Sequence, residues 1–161
     1  MLRKLRKYSV TFSLVTIFLT SCAHNNKVTL PYKVKGITDY ITLRTEESLM
    51  SLLNDEKENN LLLVSYALES CACWVTFKKD VLLPFIEKTE VPIYVIHTDY
   101  LSNYYGLNIN NEKTNTPVFG LYEEGTYKTG QSYFDNESLF TVYSNFYRYV
   151  TSYVNLPNNY L

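Results

Sequence analysis

Two continuous apolar runs, each about the length of one β-strand, constrain the fold of this chain most strongly. The first is "NLLLVSYAL" at residues 60–68, and the second is "VPIYVIHTDY" at residues 91–100. Runs of this kind are typical of strands buried on both faces, as in parallel sheets that helices cover on each side. The segment between them, "CWVTFKKDVLLPFIEKTE", has apolar residues at helical spacing, and Pro84 is expected to kink that helix. The chain is therefore predicted to be an α/β domain.

The remaining segments extend this alternation on both sides. Residues 40–44 predict a short strand, and residues 45–58 predict an amphipathic helix with Thr45 as its N-cap. Residues 116–130 predict a hairpin whose strands meet at a Glu-Glu-Gly turn. The order β-α-β-α-β-α-β-β-α then gives a three-layer sandwich, with a central mixed sheet and helices on both faces.

The last predicted element is a long helix over residues 136–154. Its apolar residues recur at helical spacing and are expected to form one stripe that packs on the sheet. The stripe consists of Leu139, Val142, Tyr143, Phe146, Val150 and Tyr153.

The first 21 residues have the organisation of an export signal. Four cations precede an uncharged apolar run of 12 residues at positions 8–19, whereas a membrane-spanning helix needs about 20. The sequence Leu19-Thr20-Ser21-Cys22 resembles the lipobox of bacterial lipoproteins. That resemblance implies removal of residues 1–21 and acylation of Cys22 by chains such as palmitate, which hold the protein on the outer face of the cell membrane. An ordinary signal peptide or an uncleaved anchor are the alternatives.

Processing at Cys22 changes the charge of the chain. Removing four cations leaves 15 − 4 = 11 Lys and Arg residues against 16 acids, which is a net charge of about −5. Without a basic stripe, a nucleic-acid partner is not expected. Residues 22–39 are polar and irregular and are predicted to be a lipidated tether, and residues 40–161 are predicted to form the folded domain.

Lipidation of Cys22 leaves two cysteines, both in the stretch "LESCACW" that follows the first buried run. Cys71 and Cys73 are an even pair in an extracytoplasmic setting, where disulfides persist. They are expected at the start of a helix, whose unpaired N–H groups and dipole favour a thiolate, the nucleophile of disulfide exchange. Cys71, nearer the strand end, is predicted to attack, and Cys73 to resolve the mixed disulfide.

Over residues 40–154 this arrangement resembles the thioredoxin family, in which a C-x-x-C motif opens a helix after the central strand. A cis-proline that opens the hairpin lies against that motif, and Thr116-Pro117 matches it by position. Bacteriocin-transport accessory proteins, among secreted or membrane-tethered relatives, are similar in length and in the "FKKDVLLPFI" type of helix. The resemblance implies exchange with thiols or disulfides of exported proteins. Trp74 would cap the reactive turn, the Thr116-Pro117 backbone would dock the substrate as an added strand, and no cofactor would be required.

The sequence departs from the family at two points. The cysteines are separated by one residue instead of two, which makes the disulfide ring smaller and is expected to make the bond easier to reduce, as suits an oxidant or isomerase. The buried acid that often lies six residues before the first cysteine of the family falls on Ser65. Efficient general-base help is therefore not expected.

Two other functions fit the same residues. The domain can be a non-catalytic binding or secretion-accessory lipoprotein that has lost its redox chemistry. It can also handle copper, with His97 joining Cys71 and Cys73 as a third ligand. His97 lies at a predicted strand end beside Thr98 and Asp99, where a hydrogen-bonded histidine is the simpler interpretation, so no metal site is predicted.

Overall fold

The computed structural model describes residues 27–102, 105–107 and 116–161. The predicted export signal and the predicted lipidation of Cys22 fall on residues outside this description. In chain order the elements are β1 (Val28–Thr29), β2 (Ile41–Leu43), α1 (Glu46–Asn54), β3 (Leu61–Tyr66), α2 (Ala72–Phe77), a π-helical turn (Lys78–Leu82), α3 (Leu83–Thr89), β4 (Tyr94–His97), a 3-10 turn (Thr98–Tyr100), β5 (Val118–Glu123), β6 (Thr126–Ser132), α4 (Glu137–Thr141), α5 (Tyr143–Tyr153) and β7 (Val154–Asn155). Within these described ranges, no helix has the length and apolarity needed to cross a bilayer.

The central sheet has five strands in the order β2-β4-β3-β5-β6. β4 pairs in parallel with β2 and β3, whereas β5 pairs antiparallel with β3 and β6. This confirms the predicted mixed sheet, with early strands joined by helical crossovers and a closing hairpin. All six residues of β3 are buried, as the continuous apolar run at residues 60–68 indicated.

Alternate residues of β3 face two different cores, one on each side of the sheet. Leu62 and Val64 belong to the larger core, which the segment from α2 to α3 covers together with α4 and α5. Leu61 and Leu63 belong to the smaller core, which contains Leu49 of α1. Because side chains alternate along a strand, one apolar strand holds helices against both faces. The predicted three-layer sandwich is therefore confirmed.

The helix after the cysteines continues in helical backbone through three elements, from α2 through the π-helical turn into α3. Proline has no N–H to bond the carbonyl four residues earlier, so Pro84 must disturb the ladder at Asp80. The disturbance takes the form of the wider turn, in which the Leu83 N–H bonds the Lys78 carbonyl five residues back.

The last helix is not continuous, and the prediction of one helix over residues 136–154 is wrong. Val142 has extended backbone (φ −123°, ψ 108°) and separates α4 from α5. Of the predicted apolar stripe, Val142 is 43% exposed and Tyr153 is 37% exposed. The break lets Phe140, which lies about 100° around a helix from Leu139, also enter the core beside Phe146.

The segment expected to be a tether is partly folded onto the domain. β1 pairs in parallel with β7, and the Leu161 N–H bonds the Lys33 carbonyl at 2.9 Å. Val28, Leu30 and Tyr32 are buried at 9% exposure or less. Their spacing of two is that of a strand with one buried face. From Val28 onward the chain therefore belongs to the folded domain, which begins earlier than the predicted residue 40.

Candidate active site

A tight turn carries the chain from the central strand into the helix that holds the cysteines. β3 ends at Tyr66, and the Cys71 N–H closes the turn on the Leu68 carbonyl at 3.1 Å. Cys71 is the N-cap of α2, and its carbonyl accepts the Val75 N–H at 3.0 Å. Cys73 lies in the first turn of the helix. The predicted position of the pair, at a helix start behind the central strand, is confirmed.

The two sulfur atoms form a disulfide, with the Cα atoms of Cys71 and Cys73 5.3 Å apart. Both residues are half-buried. Cys71 also packs against the larger core. Accessibility therefore does not separate an attacking from a resolving sulfur, although Cys71 was predicted to be the more exposed of the two.

Trp74 lies under this turn and makes part of the core. It is 2% exposed and stacks on Tyr66 with ring centroids 4.4 Å apart and planes 5° from parallel. Tyr40 makes an edge-to-face contact with Trp74, with the ring centroids 6.0 Å apart. With so little exposed surface, Trp74 supports the turn by packing and offers almost nothing for a substrate to contact.

Tyr66 joins the aromatic cluster to the turn above it. Its hydroxyl donates to Glu69 Oε1 at 2.9 Å. Burial, and then the hydrogen bond and charge of Glu69, raise the pKa of Tyr66 to about 12. The neutral phenol is therefore the form that holds the Glu69 carboxylate at neutral pH. Sequence reasoning assigned no role to either residue, although Glu69 lies two positions before Cys71.

His97 lies beside this cluster at the end of β4. Its ring meets the Tyr66 ring edge to face at 5.0 Å, and its Nδ1 accepts the Asp99 N–H at 3.2 Å. In the part of the chain that the structure describes, no three or more His, Cys, Asp or Glu residues are grouped to hold a metal ion. The copper set of Cys71, Cys73 and His97 is therefore not assembled, and His97 is the hydrogen-bonded strand-end residue that its sequence context indicated.

Pro117 lies at the same end of the sheet as the cysteines. Val118 pairs with Ser65, which places the preceding Pro117 next to Tyr66 at the end of β3. The Thr116-Pro117 bond is trans, because the described residues include no cis peptide bond, and the cis-proline that the resemblance implied is not found. The Pro117 carbonyl already accepts the Tyr133 N–H at 3.0 Å. One acceptor of the predicted docking strand is thus bonded within the domain.

Ser65 supplies no acid near the pair. It is fully buried, and its hydroxyl has no hydrogen-bond partner within the described residues. Since residues two apart on a strand share a face, Ser65 lies with Leu63 on the side of the smaller core, away from Trp74.

Two grooves flank the turn and meet at Glu69. The first is lined by Glu69, Trp74, Val75, Lys78, Lys79 and Leu83. The second is lined by Thr42, Leu43, Arg44, Tyr66, Glu69, His97 and Tyr100. Carboxyl ends of parallel strands meet at one sheet edge, so the residues that follow β2, β3 and β4 come together here. That rule could have predicted Arg44 as a neighbour of the turn.

Two plant thioredoxins are similar to this chain in backbone arrangement. Thioredoxin NaTrxh from Nicotiana alata is 17% identical with a TM-score of 0.49, over 76% of this chain and 94% of that one. Thioredoxin O2 from Arabidopsis thaliana, in its oxidized state, is 20% identical with a TM-score of 0.40, over 66% of this chain and 96% of that one. No protein-family model and no curated protein matches the chain. At such identities and scores neither likeness carries an activity over, and the fold is thioredoxin-like by its own strand order and cysteine position.

Proposed function

We propose that this protein exchanges disulfides with exported proteins through Cys71 and Cys73. The observation that carries the proposal is the bonded, half-exposed pair at the start of the helix behind the central strand. In the reduced state, the N–H groups of the first helical turn favour a thiolate there. The two grooves on either side of the turn supply room for a substrate segment.

The exchange proceeds in two displacements and needs only a substrate disulfide. The thiolate of Cys71 attacks one sulfur of that disulfide, forms a mixed disulfide and expels the other sulfur as a thiolate. The thiolate of Cys73 then attacks the sulfur of Cys71, which releases the second substrate sulfur and closes the Cys71–Cys73 bond. Two electrons pass to the substrate, whose thiolates take up the two protons lost by the cysteines. The reverse sequence oxidises a substrate dithiol.

The setting we propose is the outer face of the cell membrane, with the chain held by acyl groups on Cys22. The cationic segment, the apolar run and the lipobox resemblance within residues 1–22 support it. The pairing of the two remaining cysteines agrees with this setting, since disulfides persist outside the cytoplasm.

Trp74 makes the chemistry measurable because it is the only tryptophan and lies one residue after Cys73. We expect its fluorescence to change as the pair is titrated between reduced and oxidised dithiothreitol, and alkylation mass shifts of two thiols to follow the same curve. Ser70→Ala, an exposed neighbour in the turn, is the matched control and should titrate like the parent protein. Thiols that alkylate only after denaturation, and never reclose the bond, would eliminate the exchange function.

Single substitutions distinguish the attacking cysteine from the resolving cysteine. Cys73→Ser should trap a mixed disulfide with a substrate peptide, because Cys71 can attack but nothing resolves the product. Cys71→Ser should trap none. The opposite pattern would keep the exchange function and reverse the assignment.

A non-catalytic accessory role is the second candidate, and two findings favour it. Ser65 replaces an acid, and Pro117 follows a trans peptide bond. This role predicts that Cys71→Ser/Cys73→Ser retains full function in cells, whereas disulfide exchange predicts its loss.

A further inference from the structure

The grooves beside the disulfide differ in charge from the rest of the chain. Their charged lining consists of Arg44, Lys78 and Lys79 against one carboxylate, Glu69. The whole chain, in contrast, has 16 acids and 15 Lys and Arg residues. The excess of cations is therefore local to the grooves beside the turn that holds Cys71 and Cys73.

Two of these cations are free to meet a partner. Arg44 and Lys79 are exposed, and neither makes an ion pair within the described part of the chain. Lys78 lies over the Tyr40 ring, 5.2 Å from its centroid. Glu69 accepts the Tyr66 hydroxyl. Glu69 keeps its charge in that hydrogen bond, so three cations face one carboxylate across the two grooves, with Lys79 on one side of the turn and Arg44 on the other, both unpaired among the described residues.

Apolar side chains stand next to these cations. Leu68, Val75 and Tyr100 are each exposed by about half, at 51%, 50% and 49%. Leu68 is in the cysteine turn, Val75 is in the helix that the cysteines begin, and Tyr100 lines the second groove. Apolar groups beside a reacting pair suit a substrate whose cysteine has an apolar neighbour.

We propose that the preferred substrate is a cysteine-containing segment with an apolar residue next to the cysteine and carboxylates on either side of it. This rests on the proposed exchange function and names the substrate class of the same site. The apolar neighbour packs on Val75 or Leu68, while carboxylates reach Lys79 in one groove and Arg44 in the other. Complementary charge of this kind raises association rates and weakens as salt increases.

The test uses short peptides with one cysteine, each presented as its mixed disulfide with glutathione to the reduced protein. The peptides share a Leu beside the cysteine and differ only in Glu, Gln or Lys at the flanking positions. We expect the Glu peptide to react about threefold faster or more than the Gln peptide at low salt, and the advantage to shrink at high salt. Each reaction releases glutathione and the peptide thiol and closes the Cys71–Cys73 bond.

Charge reversal tests whether Arg44 and Lys79 cause the preference for the Glu peptide. The double variant Arg44→Glu/Lys79→Glu should invert the preference toward the Lys peptide. Lys57→Glu is the matched control, because Lys57 is exposed and precedes β3 at the other end of the sheet. It should keep the parent preference. In addition, Val75→Ser should slow a Leu-flanked peptide more than a Ser-flanked one.

The outcomes separate the two proposals. Equal rates for all three peptides, or an equal effect of Lys57→Glu and the double variant, would overturn the substrate class and leave exchange standing. Absence of reaction with every peptide and with dithiothreitol would overturn the exchange function, and the substrate class with it.

Discussion

At the scale of single residues, Tyr66 connects more of the site than either cysteine does. Its ring lies between the stacked Trp74 and the edge of His97, and its hydroxyl holds Glu69 at the point where the two grooves meet. Through these contacts Tyr66 holds the cysteine turn against the aromatic cluster of the core. Its ionisation should therefore be linked to the stability of the domain.

Alkaline pH should weaken the fold partly through Tyr66. Its pKa is about 12 in the fold against 10.0 for an unperturbed tyrosine, so its contribution is full below pH 10 and is lost as the pH rises toward 12. Between pH 9 and about 11.5, the free energy of unfolding should therefore fall less for the Tyr66→Phe variant than for the parent protein. Urea unfolding at both pH values measures this. Tyr100→Phe, an exposed tyrosine, is the control, and a Tyr66→Phe protein that follows the parent would contradict the linkage.

At the scale of elements, the join between α4 and α5 leaves an opportunity for stabilisation. Val142 is the N-cap of α5, with extended backbone and no side-chain bond to the helix N–H groups. A valine cannot accept such a bond, whereas serine can. The position is also 43% exposed, so little apolar burial depends on it.

Val142→Ser should raise the free energy of unfolding by about 1 kcal/mol, because its hydroxyl can accept an N–H of the first turn of α5. Chemical denaturation of both proteins measures the difference. Val142→Ala removes the same methyl groups without providing an acceptor and should give no gain. If the alanine variant is stabilised as much as the serine variant, capping is not the cause.

The hairpin turn that joins β5 to β6 depends on Gly125 for two reasons. Its φ is +72°, and a Cβ there would lie 2.1 Å from the Leu53 carbonyl oxygen. Gly125→Ala should lose at least about 2 kcal/mol of unfolding free energy, since backbone must move to admit the methyl group. Gly36→Ala is the matched control, because φ is +71° but no atom lies within 4 Å of its Cβ position. It should lose only about 1 kcal/mol, the cost of the left-handed conformation alone. Equal losses in thermal or urea unfolding would remove the contact as a cause.

Local patterns predicted most of the elements and the location of the cysteines, because burial on two faces makes β3 and β4 continuously apolar. The break at Val142 escaped prediction because the apolar spacing of Leu139, Phe146 and Val150 continues across it. The grooves at Glu69 depend on register and on side-chain packing between separate strands. β1 escaped prediction because its strand is only two residues long and its partner, β7, lies at the other end of the chain.

At the scale of the whole molecule, one end of β3 contacts the N-terminal segment and the other end leads to the disulfide. At its start, Asn60 Nδ2 donates to the Thr29 carbonyl at 3.0 Å, so the N-terminal segment joins the domain there. At its end the chain turns into the disulfide. A strand of this length separates the two points by about 20 Å. Six residue steps from Cys22 to Val28 can span at most about 20 Å. A lipid on Cys22 would therefore keep the start of β3 near the membrane and direct the disulfide away from it.

This geometry predicts unequal distances to a bilayer, measurable by energy transfer in liposomes that hold the lipidated protein. With Cys71 and Cys73 changed to Ser, single introduced cysteines at Lys57 and Ser70 can carry a donor dye, and the lipid headgroups an acceptor. Transfer should be stronger from position 57 than from position 70, because Lys57 precedes β3 whereas Ser70 lies in the cysteine turn. Cys22→Ser should abolish transfer from both positions. Equal transfer would mean that β3 lies along the membrane and would contradict the predicted orientation. Stronger transfer from position 70 would mean that the disulfide faces the lipid, and its substrates would then have to be sought at the membrane surface.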